Sequence, residues 1–489
     1  MLTTSAAAAV FTTVLTKGPI SRVEIARVTG LSQAAVTKAA RPFVDAGYLE
    51  ELEPASPGAG SGAGRPPSPL AVRGDRAFFV GVKITGDEVI GVVCDLRAKV
   101  LTAAHRPLPG TGRRGERSGQ AAATPDRAWP DAGAQPETAT ETATWSAAVG
   151  GAASGTAVSS AAVSGTAVGS AAVGSTAVSG GASGGGAGGG FQPGLSGDGD
   201  PGLGGDGDPG LGGVGVAGVV REVAALVREL LDTDPAYRQR CAALGVALSG
   251  DLDRATGIVR YSPFLGWRQV PLAALVAEAT GHPVTLENDV KALTTAEQWF
   301  GEGVGASSFA LVTVGAGIGC GLVIGGRVVG GAQGVAGELG HVPVGGNVVA
   351  CHCGGRGCVE AVAATAPILR EARRVVRLPG LSFDGAVRLA EADDEVRGVF
   401  ERAAHAVGLV IAGMAGLVGP ERVLVTGDAM GLLAWEPFEE RMTAAFRGQA
   451  FGAAKRCRII LRPRPFEQWA RGAAAVAVQA HFGLDGAPR

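Results

Sequence analysis

Apolar residues crowd the stretch from Ala6 to Leu15, and the run stops at Lys17-Gly18-Pro19, which cannot continue a helix. Ser21-Arg22-Val23-Glu24 is a capping box, so a second helix is expected from there through Val28. Gly30 ends it, and Ser32 caps a third helix running to about Ala46. Two short helices around a Gly-containing turn, followed by Gly47-Tyr48-Leu49-Glu50, predict a helix-turn-helix leading into a wing. Pro42 removes a backbone donor and should kink the last turn and a half of the third helix.

The pattern changes after a flexible Gly58 to Pro67 linker. Phe78 to Lys83, Val89 to Asp95 and Val100 to His105 are apolar runs separated by turn residues, which predicts a strand meander. From about Pro107 to Gly213 the chain becomes Gly, Ala, Ser, Thr and Val, with near-repeats such as Gly155-Thr156-Ala157-Val158 and Gly165-Thr166-Ala167-Val168. Too few large apolar side chains occur there to offset the entropy of ordering, so a disordered insertion is expected. Helical spacing resumes at Val219, Val223, Leu226, Val227, Leu230 and Leu231, and Leu244 to Leu248 reads as a strand. The insertion therefore falls in one loop of a β-β-β-α-β order, where added length costs little.

Composition bounds the function. The chain has 489 residues, 80 glycines and a net charge of −2, so it is not a globally basic protein and any nucleic-acid contact must be local. No run of eighteen apolar residues appears and the N-terminus lacks a signal-sequence pattern, so the expectation is a cytoplasmic protein with no membrane contact. Seven cysteines, three of them in one eight-residue window, suit a metal better than a disulfide framework.

That window is the most telling chemistry in the chain. Gly337-Glu338-Leu339-Gly340-His341 precedes Cys351-His352-Cys353-Gly354-Gly355-Arg356-Gly357-Cys358-Val359-Glu360. Thiolates and imidazole are the ligands tetrahedral Zn²⁺ prefers, and the intervening glycines allow a sharply folded loop. His341, Cys351, Cys353 and Cys358 are thus the candidate ligands of a structural zinc ion. The alternative is a set of buried cysteines that hold no metal.

The same residues resemble the signature of the ROK family, which groups transcriptional repressors and sugar kinases, among them xylose- and N-acetylglucosamine-responsive repressors. The resemblance implies that Glu338, His341 and Glu360 contact sugar hydroxyls, and that Asn288 and Asp289 of Leu286-Glu287-Asn288-Asp289 do likewise. Family kinases carry Asp-x-Gly-Gly-Thr after their first strand, where this chain reads Gly81-Val82-Lys83-Ile84-Thr85-Gly86-Asp87. Lysine replaces the carboxylate that organises Mg²⁺, so phosphoryl transfer is expected to be lost at Lys83 to Thr85 and no catalytic residue is assigned. Asp87 is the one acidic residue near enough to substitute. A second glycine turn, Val314-Gly315-Ala316-Gly317-Ile318-Gly319, resembles the family's other phosphate loop but reads more simply as a hairpin. Val423 to Asp428 has the position of the family's nucleotide-side strand and turn.

The third helix is the expected DNA reader, because recognition helices enter the major groove with their N-terminal turns. Ser32, Gln33, Ala34, Thr37, Lys38 and Arg41 form its candidate DNA face; Gln33 suits adenine, Lys38 guanine or phosphate. Arg22 and Arg27 add charge for the backbone, and Arg65 could reach a minor groove. A protein-docking module is the alternative. The expected architecture is α/β: a winged helix-turn-helix and linker (1–75), a two-lobed actin-like, sugar-kinase-like domain whose N-lobe spans 76–106 and 214–290, a disordered insertion (107–213), and a C-lobe with the zinc loop (291–489). The resemblance implies a sugar- or sugar-phosphate-controlled repressor acting on operator DNA as a homodimer or dimer of dimers, with an ATP-dependent sugar kinase as the alternative.

Overall fold

Three side-chain caps start the first three helices. Thr4 accepts the N–H of Ala7 at the head of α1 (Ser5–Lys17), and Ser32 accepts that of Ala35 at the head of α3 (Gln33–Asp45). Ser21 and Glu24 complete the capping box of α2 (Arg22–Thr29), which ends on Gly30 in the left-handed conformation. Each such cap stabilises its helix by about 1 kcal/mol. α3 continues across Pro42 to Asp45, with Ala46 N–H returning to the Pro42 carbonyl. The wing is β1 (Leu49–Glu51) paired antiparallel with β2 (Leu70–Val72). The computed structural model describes residues 4–53, 68–109, 215–344, 346, 349–427 and 431–484. Arg65, Asp428 and nearly all of the 107–213 insertion lie outside the described residues.

The first lobe opens with the expected meander: β3 (Phe78–Ile84), β4 (Glu88–Cys94) and β5 (Val100–Pro107). After the insertion come α4 (Val216–Asp232), a short α5 (Pro235–Arg240) and β6 (Cys241–Leu248). Next are β7 (Asp251–Asp253), β8 (Ile258–Ser262) and β9 (Trp267–Val270), which form a small antiparallel sheet of their own. The lobe closes with α6 (Leu272–Thr280), β10 (Val284–Asn288) and α7 (Asp289–Phe300). Its main sheet runs β10-β6-β3-β4-β5, with β10, β6 and β3 parallel and the meander antiparallel.

The second lobe repeats this plan. β11 (Phe309–Val314), β12 (Ile318–Ile324) and β13 (Arg327–Val328) form a meander. A helical set of α8 (Val359–Ala363), α9 (Thr365–Val376), α10 (Phe383–Ala392) and α11 (Asp394–Val418) follows. Then β14 (Arg422–Thr426), α12 (Phe438–Gln449) and β15 (Arg458–Leu461) complete a sheet of order β13-β12-β11-β14-β15. α11 is long and apolar enough to span a membrane, but 56% of its most apolar window is buried, and it is the core helix of this lobe. The last helix, α13 (Phe466–Phe482), belongs to the segment expected in the C-lobe, yet it lies across β3, β4 and β6 of the N-lobe sheet.

Two glycines admit α13. Gly81 on β3 and Gly245 on β6 are register partners, and a Cβ on either would come 1.9 Å from a carbonyl oxygen of α13, Ala470 or Ala473. With α13 on one face and α4 on the other, β3 and β4 are buried on both sides, while edge strand β5 alternates half-buried and exposed positions. At its far end α13 drives Phe482 into the helix-turn-helix. Its ring lies 4.6 Å from Phe11 of α1 and 4.9 Å from Tyr48, and Phe11 stacks 4.4 Å from Phe43 of α3. One apolar core thus runs from the N-terminal three-helix module into the N-lobe.

Candidate functional site

The cysteine-bearing loop folds on its own backbone. Cys351 N–H donates to Gly355 C=O and Gly354 N–H to Cys351 C=O, with Gly354 and Gly357 at φ of +89° and +73°. This brings the Nδ1 of His341 and the Sγ atoms of Cys351, Cys353 and Cys358 within 4.8 Å of one another. His341 Nδ1 stands 3.7 Å from Cys351 Sγ, and the Cys353 and Cys358 sulfurs are 3.8 Å apart. A tetrahedron with Zn–S bonds near 2.3 Å has edges of about 3.8 Å, so the donor set fits Zn²⁺. Burial pushes the Cys351 thiol up and the Cys358 thiol up to about 12, while the Gly355 N–H holds Cys353 below its ordinary value. With Nδ1 turned to the sulfurs, the Nε2 of His341 is left for another partner.

The carboxylates flank this loop. Glu360, on the first turn of α8, accepts the Ile318 N–H through Oε2 at 2.9 Å and meets His352 Nε2 through Oε1. Glu338 precedes a single 3-10 turn, Leu339–His341, that packs on β12: a Cβ at Gly337 or Gly340 would fall 2.1 or 2.2 Å from a carbonyl of that strand. The Glu338 side chain reaches solvent, but the surrounding walls strip enough water to push its carboxyl above its ordinary value, a rise that the charges of His341 and Lys291 partly offset. Lys291 is itself buried on α7 and donates to the Gly334 carbonyl.

Asn288 and Asp289 sit where β10 passes into α7. Asn288 Oδ1 caps the helix by accepting from Val290 and Lys291, and its Nδ2 donates to Gly250, which leaves one side-chain N–H. Asp289 is 5% exposed and forms an ion pair with Lys83 of β3, itself 5% exposed. The Lys83 ammonium also lies 5.3 Å from the centre of the Trp469 ring on α13. Lys83, which stands where a carboxylate was expected in a kinase, is thus turned onto Asp289. Asp87 is exposed in the β3–β4 turn, where Thr85 donates to its carboxylate at 2.8 Å. Gly315-Ala316-Gly317 is the turn of the β11–β12 hairpin, as expected.

On α3, Ser32, Gln33, Ala34, Thr37, Lys38 and Arg41 are all exposed, while Val36, Ala39, Ala40 and Phe43 are buried. The candidate DNA face is therefore the solvent face of one amphipathic helix. Arg41 pairs loosely with Asp45 at 3.6 Å, and Arg22 is committed to Glu51 of the wing. Sequence reasoning did not single out His352, Lys291 or Phe264. Only the spacing of His352 within the cysteine cluster carried a signal.

Two lobes of like topology, fused to a winged helix-turn-helix and bearing a His/Cys loop between paired carboxylates, define a two-lobed body of sugar-kinase-like fold behind a small helical module. Residues 219–480 match the ROK family, and the chain belongs to that family. It is 34% identical over 244 residues to a glucokinase of Thermotoga maritima, covering 46% of this chain and 74% of that protein. It is 23% identical over 433 residues to the DNA-binding transcriptional dual regulator NagC of Escherichia coli, covering 86% of this chain and 80% of NagC. Among solved structures, a ROK family transcriptional regulator homologous to E. coli MLC superposes with a TM-score of 0.64 at 19% identity, covering 98% of this chain and 96% of that one.

Proposed function

We propose that this protein is a sugar-responsive, DNA-binding transcriptional regulator, most simply a repressor of sugar-metabolism genes. One observation carries the reading: an exposed recognition-type helix is joined to a sugar-kinase-like body in which Asp289 is buried against Lys83. The face of α3 would read operator DNA, and Asn288, Glu338, His341 and Glu360 would hold a sugar between the lobes. Asp289 then contributes as a member of a fixed charge pair. Sugar acts by binding one lobe arrangement more tightly than another. A homodimer or dimer of dimers sets the spacing of two recognition helices on DNA. Such a protein works in the cytoplasm. The likeness to glucokinase supports a second reading, an ATP-dependent sugar kinase with an appended DNA-binding module, against which Lys83 argues.

Zn²⁺ held by His341, Cys351, Cys353 and Cys358 would serve as a structural cross-link of the loop that carries the sugar-facing groups. Metal analysis of the purified chain should find near-stoichiometric zinc, and Cys353→Ser should lower it sharply; undiminished zinc in that variant would remove the assignment. The function itself is tested by retardation of the DNA upstream of the gene at fixed salt, with and without a panel of hexoses, pentoses, amino sugars and their phosphates. Specific retardation altered by one sugar supports the regulator. ATP consumption stimulated by a hexose, without retardation, would transfer the assignment to the kinase.

A further inference from the structure

Phe264 is an aromatic side chain that the fold leaves in solvent for no packing reason. Its turn, between β8 and β9, is firmly anchored: Leu265 and Trp267 are 3% and 5% exposed, and Ser262 Oγ donates to the Ser249 carbonyl at 2.8 Å. Phe264 is nonetheless 52% exposed, although burial of so large an apolar side chain would favour the fold. The ring projects from the N-lobe toward the C-lobe. Its Cζ lies 4.0 Å from the point above Gly317 where a Cβ would sit, and that same point is 2.9 Å from Glu360 Oε2. On its other side, the Phe264 carbonyl is 3.9 Å from the equivalent point above Gly86. The ring thus stands at the gap between the lobes, beside one of the carboxylates of the candidate sugar site.

We propose that Phe264 is a specificity-determining residue of this cleft, stacking on the C–H face of an unphosphorylated pyranose whose hydroxyls are taken by Glu360 and its neighbours. This rests on the sugar-binding reading above. A pyranose presents polar edges and an apolar face, so a site with a carboxylate beside an aromatic ring matches both. A phosphate suits it poorly. Glu338 and Glu360 bring negative charge, the aromatic face is electron-rich, and among the described residues Lys83, Arg254 and Arg260 stand against the carboxylates of Asp289, Glu287 and Asp251, while buried Lys291 donates to the Gly334 carbonyl. A sugar phosphate would add repulsion against Glu338 and Glu360.

The test is titration calorimetry of the full chain with D-glucose, D-xylose, N-acetyl-D-glucosamine, glucose 6-phosphate and N-acetylglucosamine 6-phosphate. The unmodified protein should bind a neutral sugar of this set more tightly than its phosphate. Phe264→Ala should weaken that binding by about tenfold, Phe264→Trp should keep it, and both should melt like the parent because the ring is exposed. Equal affinity in Phe264→Ala, or tighter binding of the phosphorylated sugars, overturns this inference and leaves the sugar reading standing. No binding of any of the five overturns both.

Discussion

Lys83 and Asp289 are 206 positions apart in the chain and meet as a buried ion pair. Each charge is tolerable there only because of the other, since a carboxylate or ammonium removed from water alone costs several kcal/mol. Lys83→Met should therefore destabilise the protein by about 3–5 kcal/mol, measured by urea denaturation. The double variant Lys83→Met with Asp289→Asn should recover much of that loss, because no unpaired charge remains. Additive losses in the double variant would show that the pair contributes little as a pair. At this scale the sequence was informative where residues lie close together. The His341 to Cys358 spacing forecast a cluster whose sulfur and nitrogen separations suit a tetrahedron. Replacement of a carboxylate by Lys83 was legible too, but its partner was not, because nothing in local pattern says which strand end faces which helix start.

At the scale of elements, local signals placed the first three helices, the meander and the β11–β12 hairpin, since caps, breakers and periodicity act within a few residues. The β7–β9 sheet and α5 escaped notice: their strands and turns are short, and their apolar positions become meaningful only against the neighbours they cover. The contact between β5 and α13 is a further case. His105 of β5 is held by Glu467 of α13 at 3.0 Å and by Glu88 of β4 at 3.3 Å, which raises its imidazole from an ordinary value of 6.5 to about 9. A pKa raised on folding contributes stability that is fully present below pH 6.5 and lost as pH rises through about 9. The stability advantage of the parent over His105→Gln should shrink across that interval, followed by chemical denaturation at a series of pH values. With His105 41% exposed, solvent screening keeps the effect small. An advantage that grew with pH would contradict the assignment.

The whole molecule is organised around α13. This last helix closes the N-lobe sheet, packs beside α7 and ends as an aromatic wedge in the helix-turn-helix. Phe482 is fully buried, so Phe482→Ala should cost about 3–5 kcal/mol. The loss should fall first on the N-terminal module, seen as faster proteolysis of residues 4–53 than of the lobes; uniform protection would mean that the module is held by other contacts. The chain by itself determined what neighbours along it can determine: a capped helix-turn-helix, an apolar-poor stretch from about 107 to 213, a His/Cys cluster and membership of a family. Those properties rest on hydrogen bonds, turns and ligand spacings that span few residues. Only the tertiary structure decided that α13 returns to the first lobe, that Lys83 occupies Asp289, that His352 meets Glu360, and that Phe264 is left facing the gap between the lobes. These contacts join positions far apart in sequence or in orientation, and their energies appear only when the two sheets and the closing helix are packed together.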